Sequence, residues 1–168
     1  MGREGFVTGW RNASASSNAI DTIGRQTTYV RDLRARLSND TDLFRTIYRY
    51  TFNLIKPENQ KSAPMEAATD FWKMFFSSAA EKKGTLPWNS RDTKWLDLWI
   101  DFYQAKVGRP VNKDLWNMVL ELVLKIKETG GENLEWWNEN AAWPMAIDEF
   151  VVHVKEQRKA LESMDVSY

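Results

Sequence analysis

Very few residues of this 168-residue chain can take part in covalent or metal chemistry. Cysteine is absent, which excludes disulfides, thiolate metal sites and cysteine nucleophiles together. His153 is the only histidine, so neither a zinc quartet nor a His-rich catalytic centre can be assembled from one chain. Falling late in the last expected helix, it reads as a helix-end or core-edge cation favoured by the macrodipole. Asp148 and Glu149 are adjacent carboxylates, but neighbours on a helix point about 100° apart and normally face solvent. A glycosidase would need two acids set across a cleft, and no pattern in the chain argues for that. Calcium loops need alternating Asp/Asn ligands, a central Gly and a Glu at the twelfth position. Neither Val107–Asp114 nor Thr129–Glu135 has that spacing. Lys83-Gly84-Thr85 is the nearest approach to a phosphate loop and lacks the Gly-rich run that cradles phosphates. These absences rule out most catalytic chemistry, and neither a metal nor a cofactor is expected.

The remaining chemistry is that of binding. Nine Trp, five Tyr and eight Phe are more rings than catalysis would need, and aromatic side chains are enriched in interface anchors. The formal net charge is zero but unevenly spread. Residues 1–56 carry nine Lys/Arg against five Asp/Glu, residues 57–111 eight against seven, and residues 112–168 six against eleven. The acidic last third also holds Trp116, Trp136, Trp137 and Trp143, a combination suited to a basic protein partner. Its bland counterpart is a solvated acidic face over core tryptophans. Arg25, Arg31, Arg34, Arg36, Arg45 and Arg49 form a basic cluster able to meet nucleic acid. The neutral whole and the missing recognition motif favour a solvated basic face instead.

Helical periodicity runs throughout and predicts an all-α single domain of six or seven helices. A short first piece carries Phe6, Val7 and Trp10 on one face, and the Ser/Ala/Asn-rich stretch Asn12–Asn18 reads as a loop. The second helix spans Asp21–Leu37 with Ile23, Val30, Leu33 and Leu37 in one stripe. The third spans Asp40–Lys56, with Asp40 as cap, Pro57 as stop, and Phe44, Ile47, Tyr48, Phe52 and Ile55 inward. A fourth starts near Pro64 and buries Ala68, Phe71, Trp72 and Phe75. Ser77–Asn89 is loop, including Lys82-Lys83-Gly84. The fifth helix runs over Asp92–Lys106, with Trp95, Leu98, Trp99 and Phe102 inward, and Gly108 ends it. The sixth spans Lys113–Glu128, capped by Asn112 and stopped by Gly130-Gly131. The last follows Trp143-Pro144, with Ile147, Phe150, Val151 and Val154 inward, and frays after Glu156. No run approaches the ~18 apolar residues of a membrane span. The first residues have no apolar signal core, so an intracellular protein is expected.

Four stretches resemble one family. Tyr48-Arg49-Tyr50-Thr51-Phe52-Asn53-Leu54 and Ala68-Thr69-Asp70-Phe71-Trp72 are similar to two signatures of the defective-in-cullin-neddylation (Dcn-like) proteins. Arg109-Pro110-Val111-Asn112-Lys113-Asp114-Leu115-Trp116-Asn117 resembles the family's Arg-x-(Ile/Val)-x-Lys-Asp-x-Trp-Asn. Ala142-Trp143-Pro144-Met145-Ala146-Ile147-Asp148-Glu149-Phe150-Val151 follows its Ala-Trp-Pro-x-x-Ile-Asp-(Asp/Glu)-Phe-Val. The likeness runs from about Glu4 to Val154, and its details look fungal.

The resemblance implies a potentiating-neddylation (PONY) domain of EF-hand-like helix pairs without metal ligands, over residues 4–156. It also implies that the domain is N-terminally incomplete here, followed by a polar tail at 157–168. The implied activity is that of a scaffold-type co-ligase for cullin neddylation. It binds the cullin C-terminal winged-helix region and the charged Nedd/Rub conjugating enzyme, with a RING co-ligase in the same complex. The thioester belongs to the conjugating enzyme, so the scaffold itself is not an enzyme. The family's cullin-binding patch maps onto Asp114, Ala142 and Asp148. Its pocket for the conjugating enzyme's acetylated N-terminal methionine maps in part onto Leu54 and Met74, with Phe52 and Phe75 nearby. The resemblance brings no nucleic acid and no membrane, and an expected location in cytoplasm and nucleus. Two rival readings stand beside it: a helical adaptor that grips a basic protein without speeding transfer, and an RNA-binding helical module built on the arginines. The acidic last third opposes the RNA reading.

Overall fold

A computed structural model describes residues 2–15, 20–78, 85–132, 134–138 and 140–165. Lys82-Lys83-Gly84 and Ser16–Asn18 lie outside the described residues. Among those described, seven α-helices, one π turn and one two-residue ladder make up the regular structure. The chain divides into two compact units, residues 1–44 and 45–168.

The first unit contains α1 (Arg3–Ala15), α2 (Ile23–Arg36) and the start of α3 (Thr41–Ile55). α1 continues through Asn12–Ala15, where a loop is expected. Once a turn is nucleated, alanines propagate it cheaply, and the Ser14 hydroxyl accepts a hydrogen bond from the Ile20 amide at 3.0 Å. Thr22 caps α2 by accepting from the Arg25 amide at 3.3 Å. Trp10 sits edge-on to both Phe6 and Tyr29, each at 6.3 Å. No residue of α1 or α2 is buried. The stripe read from the sequence is largely open: Ile23 is 82% and Val30 52% exposed, and Phe6 and Val7 are exposed as well. Asp40 caps α3 as expected, accepting from the Leu43 amide at 3.0 Å. That bond comes first in holding its carboxyl below the ordinary value, with the Arg36 guanidinium adding to it.

The second unit is built on rings. From Arg45 onward α3 presents Tyr48 and Phe52 to α4 (Met65–Phe76) and α6 (Lys113–Glu128). Tyr48 stacks on Trp116 at 4.5 Å and 10°, and Trp72 lies parallel to Trp116 at 5.9 Å. The Tyr48 hydroxyl donates to the Trp116 carbonyl and accepts from the Trp72 indole, both at 2.9 Å. The Trp116 indole donates to the Tyr48 carbonyl at 2.9 Å. Burial pushes the Tyr48 phenol well above its ordinary range, so it stays protonated and can hold both roles. This network satisfies three polar groups in an interior where unpaired ones are costly.

α5 (Trp95–Phe102) widens into a π turn over Tyr103–Val107. Gly108 stops it at φ 58°, its amide returning to the Tyr103 carbonyl at 2.8 Å, a left-handed stop that glycine adopts without strain. β1 (Ser62–Ala63) and β2 (Val111–Asn112) then pair antiparallel, Ser62 opposite Asn112 and Ala63 opposite Val111. The ladder ties the α3–α4 loop to the α5–α6 loop. α6 has the boundaries and the Asn112 cap read from the sequence, the side chain accepting from the Leu115 amide at 2.8 Å.

α7 (Met145–Asp165) does not fray after Glu156; it runs on to Asp165. The segment Lys155–Glu162 is rich in strong helix formers and free of Gly and Pro, so an anchored helix extends through it without needing burial. His153 therefore lies in the middle of the helix rather than near its end. Its ring is 5.3 Å from that of Phe102, a core-edge position. No helix among the described residues is long and apolar enough to cross a membrane.

Candidate functional site

The starts of α6 and α7 come together at one groove of about 290 Å³. Leu115 from the first turn of α6, Pro144, Met145 and Ala146 from the start of α7, and Tyr103 and Val107 from the π turn line it. Local chemistry sets each wall. Asn112 closes the ladder and caps α6, which fixes the direction in which the first turn presents Asp114. The Tyr103 hydroxyl donates to the Arg109 carbonyl at 3.0 Å, pinning the linker across the end of the π turn. Pro144 precedes α7, and its carbonyl accepts from the Ile147 and Asp148 amides.

The three residues expected to form one patch do not line this groove themselves but lie one or two chain positions from residues that do. Asp114 is exposed on the first turn of α6. Ala142 is exposed just before Trp143, whose ring lies 5.9 Å from that of Trp136. Asp148 is half-buried on the first turn of α7. Both acids sit at the positive end of a helix dipole. Leu115 and Ala146, immediate or near chain neighbours of Asp114 and Asp148, share the groove.

Full exposure was expected of Asp148, and here the structure differs. Its Oδ1 accepts a hydrogen bond from the Trp137 indole at 3.1 Å. Lys155 Nζ lies over the Trp137 ring, 4.6 Å from its centroid. Beyond Asp148, a second cavity of about 360 Å³ is lined by Trp137, Asp148, Glu149, Val152, His153 and Glu156. Trp137 was missed as a site residue by sequence reasoning. The available signal is the Trp136-Trp137 doublet in an acidic, non-helical stretch eleven positions before Asp148.

The second expected site divides in two. Leu54 is 64% and Met74 51% exposed, on α3 and α4, whereas Phe52 and Phe75 are buried. Phe52 lies 6.3 Å from Trp116 and Phe75 5.4 Å from Tyr48, both within the aromatic core. Part of the basic cluster is ion-paired. Arg45 and Arg49 both reach Glu121 at 3.1 Å, Arg25 pairs with Asp21 and Arg36 with Asp40, which weakens the case for phosphate binding. Among the described residues no group of three or more His, Asp or Glu is placed to hold a metal ion.

Comparison with known proteins bears on most of the chain. The family described as cullin binding matches residues 25–153. Defective in cullin neddylation protein 1 of Pyricularia oryzae is 33% identical over 157 residues, 89% of this chain and 53% of the relative. The protein of the same name from Yarrowia lipolytica is 29% identical over 154 residues, 92% of this chain and 56% of the relative. DCN1-like protein 3 of Xenopus laevis is 31% identical over 128 residues, 74% of this chain and 37% of the relative. The chain spans about half the length of the fungal relatives.

Proposed function

Since the chain belongs to the cullin-binding family, we propose that it is a scaffold-type co-ligase for cullin neddylation. It binds the cullin C-terminal winged-helix region through Asp114, Ala142 and Asp148. It also binds the charged Nedd/Rub conjugating enzyme, with a RING co-ligase completing the assembly. The observation that supports this reading is that residues from the starts of α6 and α7, two helices that each carry an acid in the first turn, line one groove. Acids there suit basic side chains, and a small Ala142 lets a partner backbone approach. The chain has no cysteine, and the proposed role requires none: the thioester stays on the conjugating enzyme. The rate gain comes from holding acceptor lysine and thioester in a productive orientation.

In the same reading α3/α4 and α5/α6 are EF-hand-like helix pairs without metal, joined through the β1–β2 ladder. Leu54 and Met74 offer exposed apolar surface for the acetylated methionine of the conjugating enzyme, on helices whose Phe52 and Phe75 belong to the interior. The protein works in the cytoplasm and nucleus.

Binding to a cullin C-terminal domain and single-turnover transfer from a charged conjugating enzyme test the proposal. Asp114→Lys and Asp148→Lys should each weaken binding about tenfold or more, since a hydrogen bond to a charged group contributes roughly 1.5–3 kcal/mol and tenfold is about 1.4. Ala142→Arg should act by bulk. Transfer should fall in proportion, while Glu135→Lys, outside the patch, should change little. A folded Asp114/Asp148 double reversal that binds cullin at the unmodified level refutes the patch. An obligatory covalent adduct between this chain and the modifier refutes the scaffold mechanism.

A further inference from the structure

We infer that Trp137 is a positioning residue of the cullin-facing surface: its indole N–H holds the Asp148 carboxylate in the orientation that meets a basic partner group. The inference rests on the reading of Asp148 as a cullin contact. Three observations support it. The indole Nε1 donates to Asp148 Oδ1 at 3.1 Å across eleven positions of sequence, so the bond ties the irregular segment before α7 to the helix itself. That leaves the other carboxylate oxygen for a partner cation. Lys155, seven positions beyond Asp148 on α7, lays its Nζ over the ring at 4.6 Å. Its charge holds the indole by its face while Asp148 holds its N–H edge, since a cation is attracted to the face of Trp more than to other rings. Finally, Trp137 and Asp148 together wall the same 360 Å³ cavity, so the bond sits at an accessible edge rather than inside the core. Trp137 is only half-buried.

Without the donor, Asp148 regains its side-chain rotamers and must be ordered again by the partner. That cost appears in affinity.

A double-mutant cycle decides the matter. Trp137→Phe keeps an aromatic ring and a seat for Lys155 but removes the donor. Binding of a cullin C-terminal domain is measured by calorimetry for Trp137→Phe, Asp148→Asn and the double variant, with a melting curve for each. In the native background Trp137→Phe should weaken binding about three- to tenfold, the range of a lost charge-assisted hydrogen bond partly replaced by water. In the Asp148→Asn background it should change affinity less than about twofold, because the group it positions is no longer charged. A Trp137→Phe loss that persists undiminished beside Asp148→Asn assigns Trp137 a contact or packing role and overturns the inference. So does full native affinity in Trp137→Phe while Asp148→Lys is impaired. If Asp148→Lys itself binds normally, the cullin patch falls first, and the inference with it.

Discussion

The helices α1 and α2 and the single helix α6 are all amphipathic by sequence, yet their fates differ. Across the 27 residues of α1 and α2 none is buried, whereas α6 buries seven of sixteen. An apolar stripe therefore states what a helix is able to bury, and the partner that covers it must come from elsewhere in the fold. α6 has that partner in Tyr48, Trp72 and the rings around them. In the first unit Trp10, Phe6 and Tyr29 touch only at their edges, and Ile23 and Val30 remain open.

The contrast predicts a graded response to substitution. The largest effect belongs to Trp116→Ala, which removes a fully buried ring together with its stacking on Tyr48 and Trp72 and its bond to the Tyr48 carbonyl. A loss of about 3–5 kcal/mol in urea unfolding is expected for truncating a buried Trp. A loss below about 1 kcal/mol would mean that the interior is looser than described. Tyr48→Phe follows, at about 1–3 kcal/mol, because it leaves the Trp72 indole and the Trp116 carbonyl without their shared partner.

Glu132→Gln should cost less and depend on pH. The Ser90 hydroxyl first, against some desolvation, and then the Thr93 hydroxyl, the Asp92 amide and the Arg158 charge hold the Glu132 carboxyl below its ordinary value of 4.5. A carboxyl depressed in the folded state stabilises above its unfolded pKa, and that gain is lost as pH falls through the folded value. The difference in melting temperature between Glu132→Gln and the parent should thus be constant near neutrality and close below about pH 4.5. A difference that widens in acid would reverse the sign of the argument. The smallest effect is expected at the exposed stripe. Ile23→Ser and Val30→Ser should each stay within about 0.5 kcal/mol, and a larger loss would show that something covers α2 in solution.

Local chemistry made parts of the fold legible in the sequence. Asn112 and Asp40 announce their helices because a cap acts within three residues, and Gly108 marks the end of its helix because a left-handed stop is a one-residue property. The ends of α1 and α7 were misread, since a nucleated helix tolerates Ser and Asn and continues through Lys, Gln and Glu where periodicity is already lost. The π turn and the β1–β2 ladder involve no composition signal at all: both follow from how α5 and the loops meet the rest of the fold. At the candidate site, the residue types of Asp114, Ala142 and Asp148 were readable from their motifs. The indole bonded to Asp148 was not, because a hydrogen bond between an irregular segment and a helix exists only once the chain is folded.

Closing the β1–β2 ladder brings Ser62 to Asn112, fifty positions along the chain, and the bond between the Tyr48 hydroxyl and the Trp116 carbonyl spans 68. The entropy of such closures must be overcome before the contacts repay it, and distant pairings slow the approach to the native state. A bundle of helices whose neighbours met only in sequence would fold quickly, turn by turn. Here the two loops must also meet, so the ladder, two residues wide, places the second unit among slower folders than its helical content suggests.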